Sequence, residues 1–136
     1  MRFASKIAVF VRADLEVWQK LNVACFLSGG IAGSSPEVVG EPYRDGSGML
    51  YGPMIRQPVM VFEASGEELA RTRLRALSRD LTISVFTREL FATGNDADNR
   101  AAVAAVAADE LDLVGLAMHA DRKLVDKVVK GLALHR

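Results

Sequence analysis

The chain has 136 residues, and its 17 basic and 17 acidic side chains give a formal net charge of zero. A length of this order fits one domain, so we expect residues 1–136 to fold as a unit without help from a metal or a disulfide. The neutral balance provides no long-range field to attract polyanions, and nucleic acid is not favoured as a partner.

Cysteine content and hydropathy indicate the cellular compartment of the protein. Cys25 is the only cysteine in the sequence, so no intrachain disulfide can form. The apolar run of residues 7–11 is shorter than a signal-peptide core and is closed by Arg12, and no stretch reaches the length of a membrane span. We therefore expect a cytoplasmic protein with no membrane partner. Apolar neighbours favour a buried, unreactive thiol at Cys25.

The first half of the chain predicts a strand, a helix and a hairpin. The segment KIAVFV is typical of a strand that is covered on both faces. A helix is expected over residues 17–27, with Gly29 and Gly30 where a helix would stop. The later segment EPYRDGSGMLYGP predicts two short extended pieces around a turn at residues 45–48.

The second half predicts alternating strands and helices. Strands are expected in PVMVFEA, TISVFT and LDLVGLAM. Ser65 and Glu68 have the spacing of a capping box at the start of SGEELARTRLRALSRDL. Asn95 or Asp96 can cap DADNRAAVAAVAADE, and Asp121 can cap a last helix that runs to about residue 132. This order predicts an α/β domain with helices on both faces of the sheet.

Ligands of such sheets usually bind beyond the carboxyl ends of the strands. In the first helix Gln19 and Asn22 share a face with Phe26, because they are spaced at i, i+3 and i+7. If the predicted hairpin covers this face, the Gln19 and Asn22 carboxamides would form a neutral hydrogen-bonding patch with aromatic walls. Polar residues also follow each predicted strand: Arg12 and Asp14, Glu63 and Ser65, Thr87, Arg88 and Glu89, and His119 and Asp121.

The preferred hypothesis is a binding protein, noncatalytic or weakly catalytic, for a small polar metabolite or a peptide-like group, with no cofactor. Its predicted ligand-binding residues are Arg12, Asp14, Gln19, Asn22, Tyr43, Arg56 and Thr87. In a competing structural interpretation the two carboxamides of the first helix satisfy nearby backbone groups.

Common motifs for metal, nucleotide and hydrolase chemistry are absent from the sequence. There is no G-x-x-x-x-G-K-[ST], G-x-G-x-x-G or G-x-S-x-G, and His119 and His135 lack the neighbours of a metal site. We therefore predict no metal. Two basic stripes could hold phosphates, but solvated helix faces are the favoured interpretation, because acidic residues accompany them. The stripes consist of Arg71, Arg75 and Arg79, and of Lys123, Lys127 and Lys130.

Four segments resemble an uncharacterised bacterial family, domain of unknown function 2000. They are KIAVFVRADLEVWQKLNVACFLSGG, RQPVMVFEASGEELARTRLRAL, ISVFTRELFATGND and DLVGLAMHADRKLVDKVVKGLALH. That family is similar in fold to type II peptidyl-tRNA hydrolases, whose R-x-D-L turn and D-K-V helix correspond to RADL and DKVVKGL here. The resemblance implies a three-layer α/β/α domain on a mixed sheet of about four main strands, which often forms a homodimer. The hairpin predicted above would be an insertion in this fold.

The resemblance also implies a second hypothesis, a metal-independent hydrolase of an ester or amide linked to RNA or an amino acid. Asp14 would orient a water or a basic group, and Lys20 or Arg12 would stabilise the developing negative charge. The lysine- and glycine-rich turn of those hydrolases is replaced here by EVWQKLN, so no further catalytic residues are carried over. A third hypothesis is a homodimeric interaction scaffold.

Overall fold

The computed structural model describes residues 2–136. In chain order its elements are β1 (Ser5–Arg12), α1 (Val17–Ser34), β2 (Tyr43–Arg44), β3 (Leu50–Tyr51), β4 (Val59–Ala64), α2 (Gly66–Leu77), β5 (Ser84–Thr87), α3 (Asp96–Ala104), β6 (Leu113–Asp121), α4 (Arg122–Val128) and β7 (Ala133–Leu134). Short 3₁₀ turns cover residues 36–38, 88–92 and 108–110. Within the described residues, every helix is too short or too polar to cross a membrane.

Five strands form a mixed sheet in the order β5-β6-β1-β4-β7, while β2 and β3 form a separate hairpin. The central strand β1 pairs in parallel with β4 and antiparallel with β6, and β6 runs antiparallel to β5. We call the end where β1, β4 and β5 finish the carboxyl end of the sheet; β6 finishes at the opposite, amino end. The predicted mixed sheet is confirmed, and the short β7 is a strand that the sequence did not predict.

Helices pack on both faces of the sheet. On one face α1 packs on Ile7, Val9 and Val11 of β1. On the other face α2 and α4 pack on Ala8 and Phe10 of the same strand. Because successive side chains of a strand point to opposite faces, the unbroken apolar run of β1 supplies both cores.

α1 is longer than predicted, and it continues through Gly29, Gly30 and Gly33 to Ser34. Val23, Leu27 and Ile31 lie one turn apart and are buried in the core beneath this helix. Burying a side chain such as Ile31 contributes about 1.5–3 kcal/mol. The two glycines before Ile31 each cost about 0.5–1 kcal/mol in a helix interior, so their combined cost is of the same order or smaller. Packing on the sheet therefore extends the helix until Pro36 disfavours a helical residue before it.

The later helices start where predicted but end earlier. Ser65, Asn95 and Asp121 each accept a hydrogen bond from a backbone N–H at a helix start. α2 ends at Leu77, and α3 buries none of its residues, so no packing extends it beyond Ala104. α4 ends at Val128, and Gly131, with a φ of +91°, turns the chain into β7.

The predicted hairpin is confirmed, and Asp45 fastens its turn. The Asp45 carboxylate accepts hydrogen bonds from the Tyr51 hydroxyl at 2.8 Å and from the backbone N–H groups of Ser47 and Met49 at 2.9 Å. The Tyr51 hydroxyl, aided by these amides, holds the pKa of Asp45 below its ordinary value, and the same bond raises the pKa of Tyr51. Gly48 completes the turn with a φ of +87°.

Candidate ligand-binding site

The hairpin does not cover the first turns of α1, contrary to the sequence-based prediction. α1 carries the chain to the amino end of the sheet before the hairpin begins. There Arg56 Nε donates a hydrogen bond of 2.9 Å to the backbone oxygen of Glu37, and the Arg56 guanidinium lies 5.5 Å from the centre of the Phe3 ring. Tyr43 belongs to the exposed hairpin that precedes Arg56. The eight-residue β1, about 23 Å long, separates this region from Arg12.

Arg12, Asp14 and Thr87 do lie together at the carboxyl end of the sheet. Arg12 forms ion pairs with Asp14, through Nε and Oδ1 at 3.1 Å, and with Asp112, through Nη1 and Oδ1 at 2.7 Å. Asp112 also pairs with Arg88, whose Nε lies 3.0 Å from Oδ2. Two arginines and two aspartates thus neutralise one another. Sequence reasoning missed Asp112, because it precedes β6 and only the antiparallel direction of that strand brings it here.

Thr87 is 1% exposed, and among residues 2–136 its Oγ1 is a buried side-chain oxygen that has no hydrogen-bond partner. A buried polar group in this state costs about 1–3 kcal/mol. We expect Thr87→Val, which removes the hydroxyl and keeps the β-branched shape, to raise the free energy of unfolding by about 1 kcal/mol.

Urea unfolding of the purified variant tests this expectation. Thr87→Ser is the matched control, because it keeps the hydroxyl and removes the methyl group, and we expect it to lower the free energy of unfolding by about 1 kcal/mol. A Thr87→Val protein less stable than the wild type would contradict the prediction.

The two candidate catalytic residues have separate partners. Asp14 is paired with Arg12, as described above. Lys20 Nζ lies 3.0 Å from His135 Nε2, and the same imidazole nitrogen lies 3.9 Å from Glu63 Oε2. Lys20 therefore points toward the end of the chain beyond β7.

Gln19 and Asn22 have different surroundings. The Gln19 carboxamide oxygen accepts a hydrogen bond of 3.0 Å from the backbone N–H of Glu16, which completes the start of α1. The structural interpretation therefore accounts for Gln19. The Asn22 amide donates to the backbone oxygen of Trp18 at 3.3 Å, and Asn22 also lines an open groove on the β5 side of α1.

This groove, which we call the aromatic groove, lies between α1, β5 with its following 3₁₀ turn, and α3. It has two lobes of about 470 and 350 Å³ that share Phe26, Phe86, Leu90, Asp96 and Asn99. The larger lobe continues along β5 and α3 to Val103 and Ala104. The smaller lobe continues to Trp18, Asn22, Phe91, Thr93, Gly94 and Asn95. Of the seven predicted ligand-binding residues, Asn22 is the one found in these lobes.

Four aromatic rings form a continuous wall of the groove. The ring centres of Trp18 and Phe91 are 5.6 Å apart, those of Phe91 and Phe86 are 5.0 Å apart, and those of Phe86 and Phe26 are 6.0 Å apart. Phe86 is buried, whereas Trp18 and Phe26 are 56% and 62% exposed. Both ends of the aromatic wall therefore remain accessible to a ligand.

The rim of the aromatic groove is polar and electrically balanced. Asp96 Oδ2 and Arg100 Nε on α3 form an ion pair at 2.7 Å. The Thr93 hydroxyl donates to the carboxamide oxygen of Asn99. Asn22 and Asn99 thus add uncharged carboxamides to an apolar wall, as in many small-molecule sites.

Three further residues differ from expectation. Cys25 is exposed, because Val23 and Leu27 on the same helix face the sheet and Cys25 points away from it. His119 and Asp121 lie at the amino end of the sheet and not at the carboxyl end, because β6 runs antiparallel to its neighbours.

The basic stripe of α2 and the basic stripe of the chain's last helical region come together at a small cleft. Arg71 and Arg75 of α2 and Lys130 beyond α4 line a cleft of about 110 Å³, which Glu68 also borders. Arg75 Nη1 donates to the backbone oxygen of Lys130 at 3.0 Å. In the described part of the chain, no group of three or more His, Cys, Asp or Glu side chains is arranged to hold a metal ion.

Comparison with known proteins places the chain in a family. The family model described as "Protein of unknown function (DUF2000)" matches residues 5–136. A solved structure, that of a protein of unknown function from Agrobacterium tumefaciens strain C58, is 48% identical, with a TM-score of 0.96 over 99% of this chain and 100% of that chain. No curated protein matches the chain. The chain therefore belongs to the DUF2000 family.

Proposed function

We propose that the protein binds a small uncharged ligand, or a peptide-like group, that has a flat apolar part and a hydrogen-bonding part. The observation that carries this proposal is the aromatic groove, in which four rings in mutual contact line a cleft that is open to solvent. Its lobes of about 470 and 350 Å³ fall within the usual size of small-molecule sites, about 300–1,000 Å³.

The charges around the groove support an uncharged ligand. Asp96 and Arg100 are paired with each other, so neither offers an unopposed charge to a ligand ion. The Asn22 and Asn99 carboxamides can exchange hydrogen bonds with an amide or a hydroxyl group. An aromatic amino-acid residue flanked by peptide groups combines the flat apolar part and the hydrogen-bonding part in one molecule.

Trp18 is the only tryptophan in the chain, so its fluorescence reports on the groove. We expect N-acetylphenylalaninamide, which does not absorb at 295 nm, to change the Trp18 emission in a saturable manner. N-acetylaspartate, a charged control of similar size, is expected to leave the emission unchanged. Phe26→Ala should weaken the binding about tenfold, which corresponds to a loss of about 1.4 kcal/mol.

Leu74→Ala is the matched control, because Leu74 is as exposed as Phe26 but lies on α2, across the sheet from the groove. We expect it to bind the probe as the wild type does. Side-chain amide signals of Asn22 and Asn99 should shift in NMR spectra when the probe is added. An emission that stays constant at millimolar probe, together with unshifted amide signals, would rule out the proposal.

We also propose that the fold is a three-layer α/β/α arrangement like that of type II peptidyl-tRNA hydrolases. The packing of α1 on one face and of α2 and α4 on the other supports it. The hydrolase hypothesis that uses Asp14 and Lys20 is less well supported, because Asp14 is paired with Arg12 and Lys20 contacts His135.

A second role, association of two copies of the chain, is supported by the β2–β3 hairpin. Its segment exposes large apolar side chains, which often mark an interface; these are Tyr43, Met49, Leu50, Tyr51 and Met54. The hydrogen bonds to Asp45 hold the turn in one shape, and a net charge of zero gives two copies no overall repulsion.

Sedimentation velocity tests this association. We expect the wild type to sediment as a dimer at about 100 μM and Leu50→Ser to shift toward the monomer, because burying a leucine contributes about 1.5–3 kcal/mol. Leu74→Ser, an equally polar change at an exposed leucine of α2, is expected to leave the dimer intact. A wild type that is monomeric at this concentration would exclude the role.

A further inference from the structure

A serine, a histidine and a glutamate meet at the amino end of the sheet, away from the aromatic groove. Ser5 begins β1, His119 lies near the end of β6, and Glu37 lies in the turn after α1. In the β1–β6 ladder His119 is opposite Ile7, two residues from Ser5, so both side chains lie on the α1 face of the sheet. The backbone pairing of two strands therefore fixes the first two residues relative to each other.

The contacts among these three side chains have the order of a nucleophile, a base and an orienting acid. Ser5 Oγ lies 2.8 Å from His119 Nε2, which is a hydrogen-bond distance. The other imidazole nitrogen, Nδ1, lies 3.9 Å from Glu37 Oε1. In the tautomer that carries its proton on Nδ1, that N–H faces Glu37 and Nε2 accepts the Ser5 hydroxyl proton. Catalytic hydrogen bonds are often long before a substrate binds.

A donor and a cavity adjoin the serine. Gln57, which is buried, donates from Nε2 to Ser5 Oγ at 3.3 Å and to the Ser5 backbone oxygen at 3.2 Å. Ser5 and Gln57 border a cavity of about 310 Å³ at the amino end of the sheet, together with the apolar Phe3, Pro58 and Met60 and the basic Lys6 and Arg122. The Gln57 carboxamide therefore places a hydrogen-bond donor beside the Ser5 oxygen, and such a donor can stabilise negative charge that develops next to it.

We propose that Ser5, His119 and Glu37 form an acyl-transfer site that hydrolyses small esters with an apolar acyl group. Ser5 Oγ attacks the ester carbonyl carbon as its proton passes to His119 Nε2, and Gln57 donates to the resulting oxyanion. The C–O bond to the alcohol then breaks, and Nε2 returns the proton to the leaving oxygen. A water molecule next gives a proton to Nε2 and attacks the acyl carbon. The bond between that carbon and Ser5 Oγ then breaks, the acid is released, and Nε2 returns the proton to Ser5 Oγ. Glu37 is a positioning residue that acts through the imidazole.

A fluorophosphonate probe with a short alkyl chain tests the nucleophile directly. It forms a bond to an activated serine oxygen and releases fluoride. We expect the wild type to be labelled at Ser5, on the tryptic peptide of residues 3–6. The exposed Ser34, bonded to the backbone oxygen of Gly30, is the internal control and should stay unlabelled. Absence of label on residues 3–6 in the folded wild type, or equal labelling of Ser34, would overturn the proposal.

Variants separate the roles of the three residues. His119→Gln should slow the labelling of Ser5 about 100-fold, the usual contribution of a general base. Glu37→Gln should lower the maximal labelling rate about two- to fivefold, the value of an exposed ion pair, and leave the probe concentration for half-maximal rate unchanged. Glu37→Asp should restore part of that rate. A merely structural Glu37 would alter stability but not this rate, and an unchanged rate in folded His119→Gln would refute the mechanism.

Discussion

Gly115→Ala is expected to lower the free energy of unfolding by about 3 kcal/mol, the upper range for overpacking a core. A methyl group at this position of β6 would lie 2.3 Å from Val23 Cγ1 and 3.0 Å from Leu27 Cδ1. Both atoms belong to buried side chains of α1, which rests on the sheet at this point. The backbone oxygen of Phe10, at 3.3 Å, blocks a shift to the other side. The helix must therefore move away from the sheet to admit one carbon atom.

Equilibrium unfolding in urea measures this effect, and Gly29→Ala is the matched control. A methyl group at Gly29 meets nothing within 4 Å, and the residue is in the interior of α1. Because glycine is a poor helix former, we expect this second variant to be more stable by about 0.5–1 kcal/mol. A Gly115→Ala protein with the stability of the wild type would show that α1 does not lie as close to β6 as described.

Phe10→Ala is expected to lower the free energy of unfolding by about 3–5 kcal/mol, the usual cost of truncating a buried aromatic side chain. Phe10 is fully buried under α2 and α4, and its ring stacks on that of Phe62 with centres 5.3 Å apart. The variant loses both the transfer energy of the ring and the contacts around the cavity that remains. Since small domains are stable by only about 5–15 kcal/mol, it should unfold at much lower urea concentration.

Phe26→Ala makes the same chemical change at an exposed position and serves as the control. Phe26 is 62% exposed and contacts Phe86 edge-on, so we expect a loss of only about 0.5–1 kcal/mol. The two variants should therefore separate effects on stability from effects on binding. Phe10→Ala should destabilise the fold, whereas Phe26→Ala should weaken the binding of the proposed ligand. Equal losses of stability would contradict the assignment of Phe26 to an open groove.

Local patterns in the sequence were sufficient to predict most of the fold. The capping residues Ser65, Asn95 and Asp121 start helices as predicted, because the interaction of a cap side chain with the first free amides is local. The turn at Asp45 is equally local. The end of α1 was predicted wrongly, because Gly29 and Gly30 act within one turn whereas Ile31 is held by contact with a distant strand.

The candidate sites depend on strand direction and helix placement, which composition does not reveal. The apolar pattern of a strand does not show whether it pairs in parallel or antiparallel with its neighbour. The sequence alone therefore did not show that His119 would contact Ser5 or that Asp112 would contact Arg12. The aromatic groove combines residues from α1, β5 and α3. Asn22 was found by its helical spacing with Phe26, but no local signal linked it to Asn99.

The lack of buried residues in α3 has a consequence for any molecule that enters the aromatic groove. One wall of the groove, α1, is anchored in the core through Val23, Leu27 and Ile31, whereas the opposite wall is held mainly by its own backbone and its contact with the preceding turn. Backbone amide protons of α3 should therefore exchange with solvent deuterium well before those of α1. A ligand bound tightly in the groove would slow the exchange of the α3 amides. The slowly exchanging amides of α1 would serve as an internal reference in the same spectrum.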